Sequence, residues 1–260
     1  MNAPLKNKTA VVTGGARGIG FAFAHRLASL GARIAVLDLE LSLGSSNSNK
    51  TITDDLIEKG ANAVGFEVDV TDKQAVHECV RDVANQFGTI DILVANAGGG
   101  SGALDENAAA DIDPEHLQLV MERNLFGTMH CVSAVAPMMK KQKAGKIVTM
   151  ASITGLVANP SGTYAHYAAT KAALVSYTKN LAQDLGPYQI QVNGMAPGYI
   201  GTERLLERFY EVGIEQFENQ TALRRLGTPE DCANVLEFLV TPLSDYVTGT
   251  IIDVTGGALR

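Results

Sequence analysis

The sequence predicts an α/β protein: a single doubly wound domain with a seven-stranded parallel sheet and helices on both faces. Three observations carry this reading. Short β-branched runs alternate with longer helical stretches along the whole chain. The runs are nearly continuous in apolar residues, as strands buried on both faces must be. A glycine-rich turn joins the first run to a helix, the layout of a βαβ unit.

The first strand is Thr9–Thr13 (TAVVT), and a helix over 19–30 follows the glycine turn until Gly31 stops it. Arg33–Asp38 is the second strand, 63–68 the third, 91–95 the fourth and Gly145–Met150 the fifth. Segments 190–193 and 250–254 supply the sixth and seventh. A long helical stretch opens at Tyr167. Pro229, Glu230 and Asp231 suit a helix start, with proline in the first turn and acids at the positive dipole end. Segment 42–50 (SLGSSNSNK) is polar and suits a surface excursion, and 98–113 opens with three glycines as a loop. Short helices over 201–226 lie outside the sheet and form part of a substrate lid at about 199–226.

With 260 residues, 46% of them hydrophobic and 19% charged, the chain suits one compact domain over 1–260. Its 21 Lys+Arg against 28 Asp+Glu give a net charge of −7. That balance argues against a nucleic-acid partner, which needs a basic face. No apolar run of roughly 18 residues is present to span a membrane. The start, MNAPLKNK, lacks an apolar signal core, and a cytoplasmic location is expected. Cys79, Cys131 and Cys232 are odd in number and widely spaced, so packing residues are expected. No His/Cys/carboxylate cluster has ligand spacing, and no metal is expected in catalysis.

The glycine turn carries the first chemistry. Gly14, Gly18 and Gly20 lie between strand and helix, with Arg17 and Ile19 interleaved. Such a turn brings backbone close to a pyrophosphate, which meets free N–H groups and the positive end of the helix dipole. Asp38 ends the second strand about 20 residues further on, where a carboxylate accepts hydrogen bonds from an adenosine ribose. It would repel a 2′-phosphate, and no basic residue stands at 39 or 40. NAD is therefore favoured over NADP. Arg17, a cation in the turn, is the one residue that pulls the other way.

Tyr167 and Lys171 are four apart at the start of a helical stretch and share one face. A lysine cation beside a tyrosine favours phenolate. Moving a phenol from about 10 to about 7 takes roughly 4 kcal/mol. A tyrosine tuned this way can take the proton of an alcohol as hydride leaves its carbon, or return it to a carbonyl. Ser152, just after the fifth strand, can bond the same substrate oxygen.

These residues, in this order, resemble the classical short-chain dehydrogenase/reductase family over essentially the whole chain. The match runs through the Gly14–Gly20 turn, Asp69 and Val70, Asn96, Ala97 and Gly98, then Asn124, Ser152, Tyr167 and Lys171, Pro197 and Gly198, and Thr202. The resemblance implies a Rossmann-type fold and a nicotinamide cofactor. It implies that Tyr167 is the acid/base, that Ser152 positions the substrate oxygen, and that Lys171 lowers the Tyr167 pKa and binds the ribose. Asn124 would hold a water of a proton relay. Asp69 and Val70 would contact adenine. Asn96, Ala97 and Gly98 would line the cofactor and steady the central strands. Pro197, Gly198, Ile200 and Thr202 would flank the nicotinamide. The resemblance also implies a homotetramer, with long helices around 117–141 and 167–185 paired across one interface.

One departure concerns the loop before the tyrosine. Ser152 and Tyr167 stand 15 positions apart, about two more than the family usually shows. Tyr164 lies nearby but has Ala168, not lysine, four residues on. Thr154, Asn159, His166 and Tyr199 supply polar side chains to the loops that line the family's substrate pocket, which suggests a sugar or polyol. Arg204 and Arg208, four apart, suit either an anionic substrate group or a solvated face paired with Glu203, Glu207 and Glu211. The pattern favours the paired face. The expected activity is hydride transfer between NAD and a small secondary alcohol or carbonyl. The rivals are an NADPH-dependent 3-oxoacyl thioester reductase and a dinucleotide-binding sensor without turnover.

Overall fold

The computed structural model describes residues 3–43 and 50–258. Seven parallel strands form one sheet in the order β3-β2-β1-β4-β5-β6-β7. They are β1 (Thr9–Thr13), β2 (Arg33–Asp38), β3 (Ala63–Glu67), β4 (Ile92–Ala95), β5 (Gly145–Met150), β6 (Ile190–Pro197) and β7 (Ile251–Val254). The helices are α1 (Gly18–Ser29), α2 (Ile52–Glu58), α3 (Lys73–Phe87), α4 (Pro114–Val120), α5 (Gly127–Gln142), α6 (Ala165–Leu185), α7 (Glu203–Val212), α8 (Ile214–Asn219) and α9 (Pro229–Val240). The expected excursion at 42–50 lies, from 44 to 49, outside the described residues.

Successive strand residues point to opposite faces, and the core divides accordingly. Ala10, Val12, Ile34, Val36, Ile92 and Val94 pack beneath α1, α2 and α9, against Phe23, Leu27, Leu56 and Leu236. Val11, Ala35, Leu37, Leu93 and Ile147 pack beneath α3, α5 and α6, against Val80, Val83, Val135, Met139 and Leu185. Because both faces are covered, the strands carry no polar side, and their runs in the sequence do not alternate. Cys131 and Cys232 sit one in each core and Cys79 is half-buried; all three are free thiols.

Two elements depart from the sequence expectation. β6 continues to Pro197, because its second half pairs with β7 from Gly194–Ile251 to Pro197–Val254. Gly194, Met195 and Ala196 have no β-branched signal, so only the partner strand makes them extended. The helix expected over 117–141 is not regular. Met121–Phe126 forms a π turn between α4 and α5, and the Gly127 N–H reaches back to the Glu122 carbonyl. Such widened turns often serve functional sites, and this one holds Asn124.

The sheet reverses its winding between β1 and β4. Chain crossovers leave in opposite directions there, which opens a crevice at the carboxyl ends of the strands. Asn96 closes the base of that crevice. Its side-chain amide donates to the carbonyls of Thr13 (3.1 Å) and Gly14 (2.9 Å), and the Thr13 hydroxyl accepts the N–H groups of Asn96 and Ala97, both at 3.0 Å. The same packing requires glycine at position 20, where a Cβ would lie 1.9 Å from the Gly14 carbonyl oxygen.

Gly20→Ala is therefore expected to cost about 1–3 kcal/mol through overpacking, or roughly 2–4 °C in Tm per kcal/mol. Gly186→Ala is the contrast. Gly186 has an ordinary φ of −53°, and a Cβ there meets nothing within 4 Å. It should stabilise by about 0.4–1 kcal/mol. Thermal melts of both variants check the pair.

Candidate active site

At the amino end of α1, Arg17 occupies the N-cap and makes no side-chain cap bond. The first N–H groups of the helix are therefore left to an outside acceptor. Gly18 begins the helix at φ +55°, and a Cβ there would meet only Thr202, at 3.3 Å. The result is a cradle between the glycine turn and the start of α7. It fits a pyrophosphate without side-chain obstruction. Ile19 follows on the same turn, half-buried against the core.

Asp38 sits at the end of β2 with both carboxylate oxygens engaged at the backbone. Oδ2 accepts the Ala16 N–H (2.9 Å) and Oδ1 accepts the Leu39 N–H (2.8 Å). The carboxylate is thus held rigidly beside the glycine turn. Arg17 forms an ion pair with Glu40, so the one cation of the turn is met by a carboxylate. Asp69 accepts the Thr71 N–H within its own turn (2.9 Å). Val70 packs against Gly127 at the start of α5, and its carbonyl is bonded by His130. Pro197 ends β6, the Gly198 N–H donates to the Val254 carbonyl (3.0 Å), and Ile200 is buried. Ala97 and Gly98 continue from Asn96 across the floor of the crevice, so every residue expected to line a cofactor stands along one rim of the sheet.

The proposed proton-transfer group converges from two elements. Ser152 follows β5, Tyr167 lies in the first turn of α6, and Lys171 lies one turn on. α6 begins at Ala165, two residues before the expected start. The Lys171 ammonium is buried, donates to the Met150 carbonyl (2.7 Å) and lies 5.5 Å from the centre of the Tyr167 ring. Burial lowers its pKa to about 7. Burial also pushes the Tyr167 phenol up; nearby Tyr164 adds to this, while the hydrogen bond with Ser152 and the Arg204 cation pull it down. The Ser152 hydroxyl accepts from the Thr154 hydroxyl (3.0 Å) and the Thr154 N–H (3.3 Å). Desolvation outweighs both the Ser152 bond and the Arg204 cation in the protein by itself.

Asn124 is fully buried, and its side chain is committed to backbone. It donates to the carbonyls of Gly99 (2.9 Å) and Val120 (2.8 Å) and accepts the Gly99 N–H (3.0 Å). Both amide hydrogens are used, while the amide oxygen keeps a second lone pair, the side chain's one remaining place for the expected water. The π turn aims this side chain at the loop after β4 and fixes Gly99 beside the cleft.

The residues expected to meet a sugar divide. Thr154 stays with Ser152, at the cleft. Asn159 does not reach it: the side chain is exposed and bonds Ser161 and Thr163 in its own turn. The long connection before Tyr167 is thus spent in a surface turn. His166 is corrected as well. It is wholly buried, and its Nε2 bonds the Ser101 carbonyl (3.0 Å), which pins the loop after β4 from behind. Tyr199 packs edge-on against Phe209 and Phe217, and its hydroxyl donates to Gln220 (2.8 Å), so it supports the lid helices.

The structure adds Tyr164, which the lysine spacing alone passes over. It caps α6 in a left-handed conformation (φ 57°), with its N–H donating to the Glu106 carbonyl (2.8 Å). Its ring centre lies 5.4 Å from that of Tyr167. Its hydroxyl covers Gly100, where a Cβ would come within 1.7 Å. Positive φ at a tyrosine is uncommon, and no sequence pattern announces it. Arg204 and Arg208 also differ from expectation. Neither pairs with Glu203, Glu207 or Glu211 among the described residues. No group of three or more His, Cys, Asp or Glu able to hold a metal occurs among the described residues, and no helix there is long and apolar enough to cross a membrane.

The chain was compared with known proteins. The family profile described as enoyl-(acyl carrier protein) reductase matches residues 14–258. A cyclohexanol dehydrogenase of Rhodococcus sp. (strain TK6) is 47% identical, covering 98% of this chain and 97% of its own. A 3-oxoacyl-[acyl-carrier-protein] reductase of Staphylococcus epidermidis is 34% identical, covering 96% of this chain and 98% of its own. Among solved structures, a 7α-hydroxysteroid dehydrogenase complexed with NADH and 7-oxo glycochenodeoxycholic acid is 32% identical. It superposes with a TM-score of 0.88 and covers 100% of this chain and 97% of its own. Family profile, full-length relatives and the site at the sheet's switch point agree: this chain belongs to the classical short-chain dehydrogenase/reductase family, whose members bind a nicotinamide dinucleotide.

Proposed function

We propose that the protein oxidises a small secondary alcohol with NAD, and that the alcohol is carried on a ring. The observation that carries this reading is the convergence of Ser152, Tyr167 and Lys171 beside the cradle at the β1–β4 switch. The 47% identity to a cyclohexanol dehydrogenase supports the substrate type. So does the loss of the polar residues once expected for a sugar, since Asn159, His166 and Tyr199 serve their own loops. Asp38, backed by Glu40 on Arg17, supports NAD over NADP because a 2′-phosphate would meet carboxylate. The homotetramer and the cytoplasmic location expected above belong to the same proposal.

In this mechanism Ser152 donates a hydrogen bond to the substrate oxygen and orients it toward Tyr167. Tyr167 takes the hydroxyl proton from that oxygen, or returns it to a carbonyl in the reverse direction. Lys171, anchored on the Met150 carbonyl, offers its remaining N–H groups to a ribose. When bound, an oxidised nicotinamide accepts hydride and brings positive charge near the phenol. Asn124 acts as a positioning residue that fixes Gly99. The 3-oxoacyl thioester reductase is the second reading, favoured by the 34% relative. Preference for NADPH and for an acyl thioester would establish it instead.

Three outcomes are expected. First, kcat/KM with NAD should exceed that with NADP by at least about 100-fold, roughly 3 kcal/mol. Asp38→Ala should narrow the gap by about tenfold or more, read from initial rates with each cofactor. Second, Tyr167→Phe should lower kcat on cyclohexanol by on the order of 10²–10⁴ while NADH binding, followed by fluorescence, stays within a few-fold. Third, stability should depend on pH through Lys171. The folded-state pKa is about 7, and unfolded lysine titrates near 10.4. Between these values the unfolded chain binds the extra proton, so stability rises with pH from about 7 to about 10. Below about 7 both states are protonated and the gain is absent. Relative to Lys171→Met, the cofactor-free protein should gain on the order of 2–4 kcal/mol across that window. Urea melts of both proteins at pH 6.5–9.5 (about three steps) would show it; parallel curves would contradict it.

A further inference from the structure

Arg204 and Arg208 occupy one face of α7, four residues apart, immediately after the Thr202 that closes the cofactor cradle. The Arg204 guanidinium leans over the loop that follows β4: a Cβ built on Gly99 would lie 3.7 Å from its Nη1. Gly99 is the residue that Asn124 fixes by two hydrogen bonds. Both guanidinium groups act on the Tyr164 hydroxyl, and Arg204 acts on Tyr167 as well. Arg204, itself exposed, therefore stands on the tyrosine side of the cleft, with Arg208 one turn on along the same helix face.

Neither has an ion-pair or hydrogen-bond partner among the described residues. The neighbouring Glu203, Glu207 and Glu211 are exposed, and none forms an ion pair with either arginine. By contrast, Arg26 is held by Glu230 and Glu237, Arg225 by Asp231 and Arg17 by Glu40. In a protein of net charge −7, Arg204 and Arg208 are two cations beside the cleft with no carboxylate partner among the described residues. Arg208 is half-buried, and partial desolvation of an unpaired cation is unfavourable until an anion arrives. A guanidinium fork suits the planar geometry of a carboxylate, with two parallel N–H···O bonds.

We propose that Arg204 and Arg208 form the carboxylate-binding arm of the substrate pocket, so that the preferred substrate is a secondary ring alcohol bearing a carboxylate. Tyr164 walls this arm against Gly100, and α7 carries it. The inference rests on the alcohol-dehydrogenase reading and refines its substrate class.

The test compares 4-hydroxycyclohexanecarboxylate with cyclohexanol, and adds a hydroxyacyl thioester of coenzyme A, all with NAD. In the wild type, kcat/KM for the acid should exceed that for the neutral alcohol by tenfold to a hundredfold. In R204Q/R208Q the acid-to-neutral ratio should fall to near one, mainly through KM for the acid. R204K/R208K, which keeps the charge but not the fork, should give an intermediate ratio and serves if the glutamine variant does not fold. Equal rates on acid and neutral alcohol in the wild type would overturn the proposal. So would a preference that survives in R204Q/R208Q, or a thioester used faster than the acid. Inactivity on every alcohol would sink the dehydrogenase reading, and the arm is then judged by calorimetry on the NADH-loaded protein. There, 4-oxocyclohexanecarboxylate binding at least tenfold tighter than cyclohexanone, and losing that advantage in R204Q/R208Q, supports the arm; equal binding overturns it.

Discussion

The junction between the ends of β1 and β4 is the constraint on which the rest of the structure depends. A parallel sheet wound in both directions must leave a crevice where the winding reverses. Something must also satisfy the backbone groups exposed at its base. Asn96 does so with its side chain on the Thr13 and Gly14 carbonyls, while the Thr13 hydroxyl takes two N–H groups in return. This network sets the height of the glycine turn. The turn in turn sets where α1 begins, how close Gly20 can come, and where Asp38 can accept the Ala16 N–H.

Around it, burial governs the chemistry. Tyr167 and Lys171 lie in a region dry enough to favour the neutral form of each. The lysine does not by itself make a phenolate, because both groups are desolvated together and the ammonium is anchored on the Met150 carbonyl. Charge balance at the site therefore belongs to the complex with its ligands. Low dielectric makes each added charge count for more there than it would in water. A positive group entering the cleft shifts the tyrosine, and an anion entering it meets Arg204 and Arg208. The same desolvation explains why Asn124, wholly buried, has both amide hydrogens and its amide oxygen bonded to backbone.

The loops that surround the cleft are shaped by their own bonds more than by any ligand. Asn159 with Ser161 and Thr163 closes a surface turn; His166 holds Ser101; Tyr199, Phe209 and Phe217 join the two lid helices. Polar residues in these loops are thus mostly satisfied before a substrate enters. The lid arginines, unpaired among the described residues, and the Ser152 and Tyr167 hydroxyls, bonded to each other and, through Ser152, to Thr154, are the polar groups left to meet a substrate.

Local pattern and composition were enough for the sheet, its seven strands, the faces they bury, the glycine turn, Asp38 and the Tyr167–Lys171 pair. Each depends on interactions within a few residues of sequence or on a periodicity that burial imposes, and so leaves a mark in the order of residue types. Strand termini, the π turn at Met121–Phe126 and the second half of β6 were not legible, because each is decided by a partner distant in sequence. Gly194 to Pro197 is extended only because β7 lies alongside. Asn124 turns inward only because Gly99 is there to bond. The substrate residues divided for the same reason. A polar side chain in a loop has many candidate partners, and spacing says nothing of which one it finds. The sequence by itself determined the family and its chemistry; only the tertiary structure decided that His166 is buried, that Tyr164 stands beside Tyr167, and that Arg204 and Arg208 face the cleft without carboxylates. Those outcomes depend on long-range packing and on which charges come within a few ångströms in space, and neither is written in the local pattern.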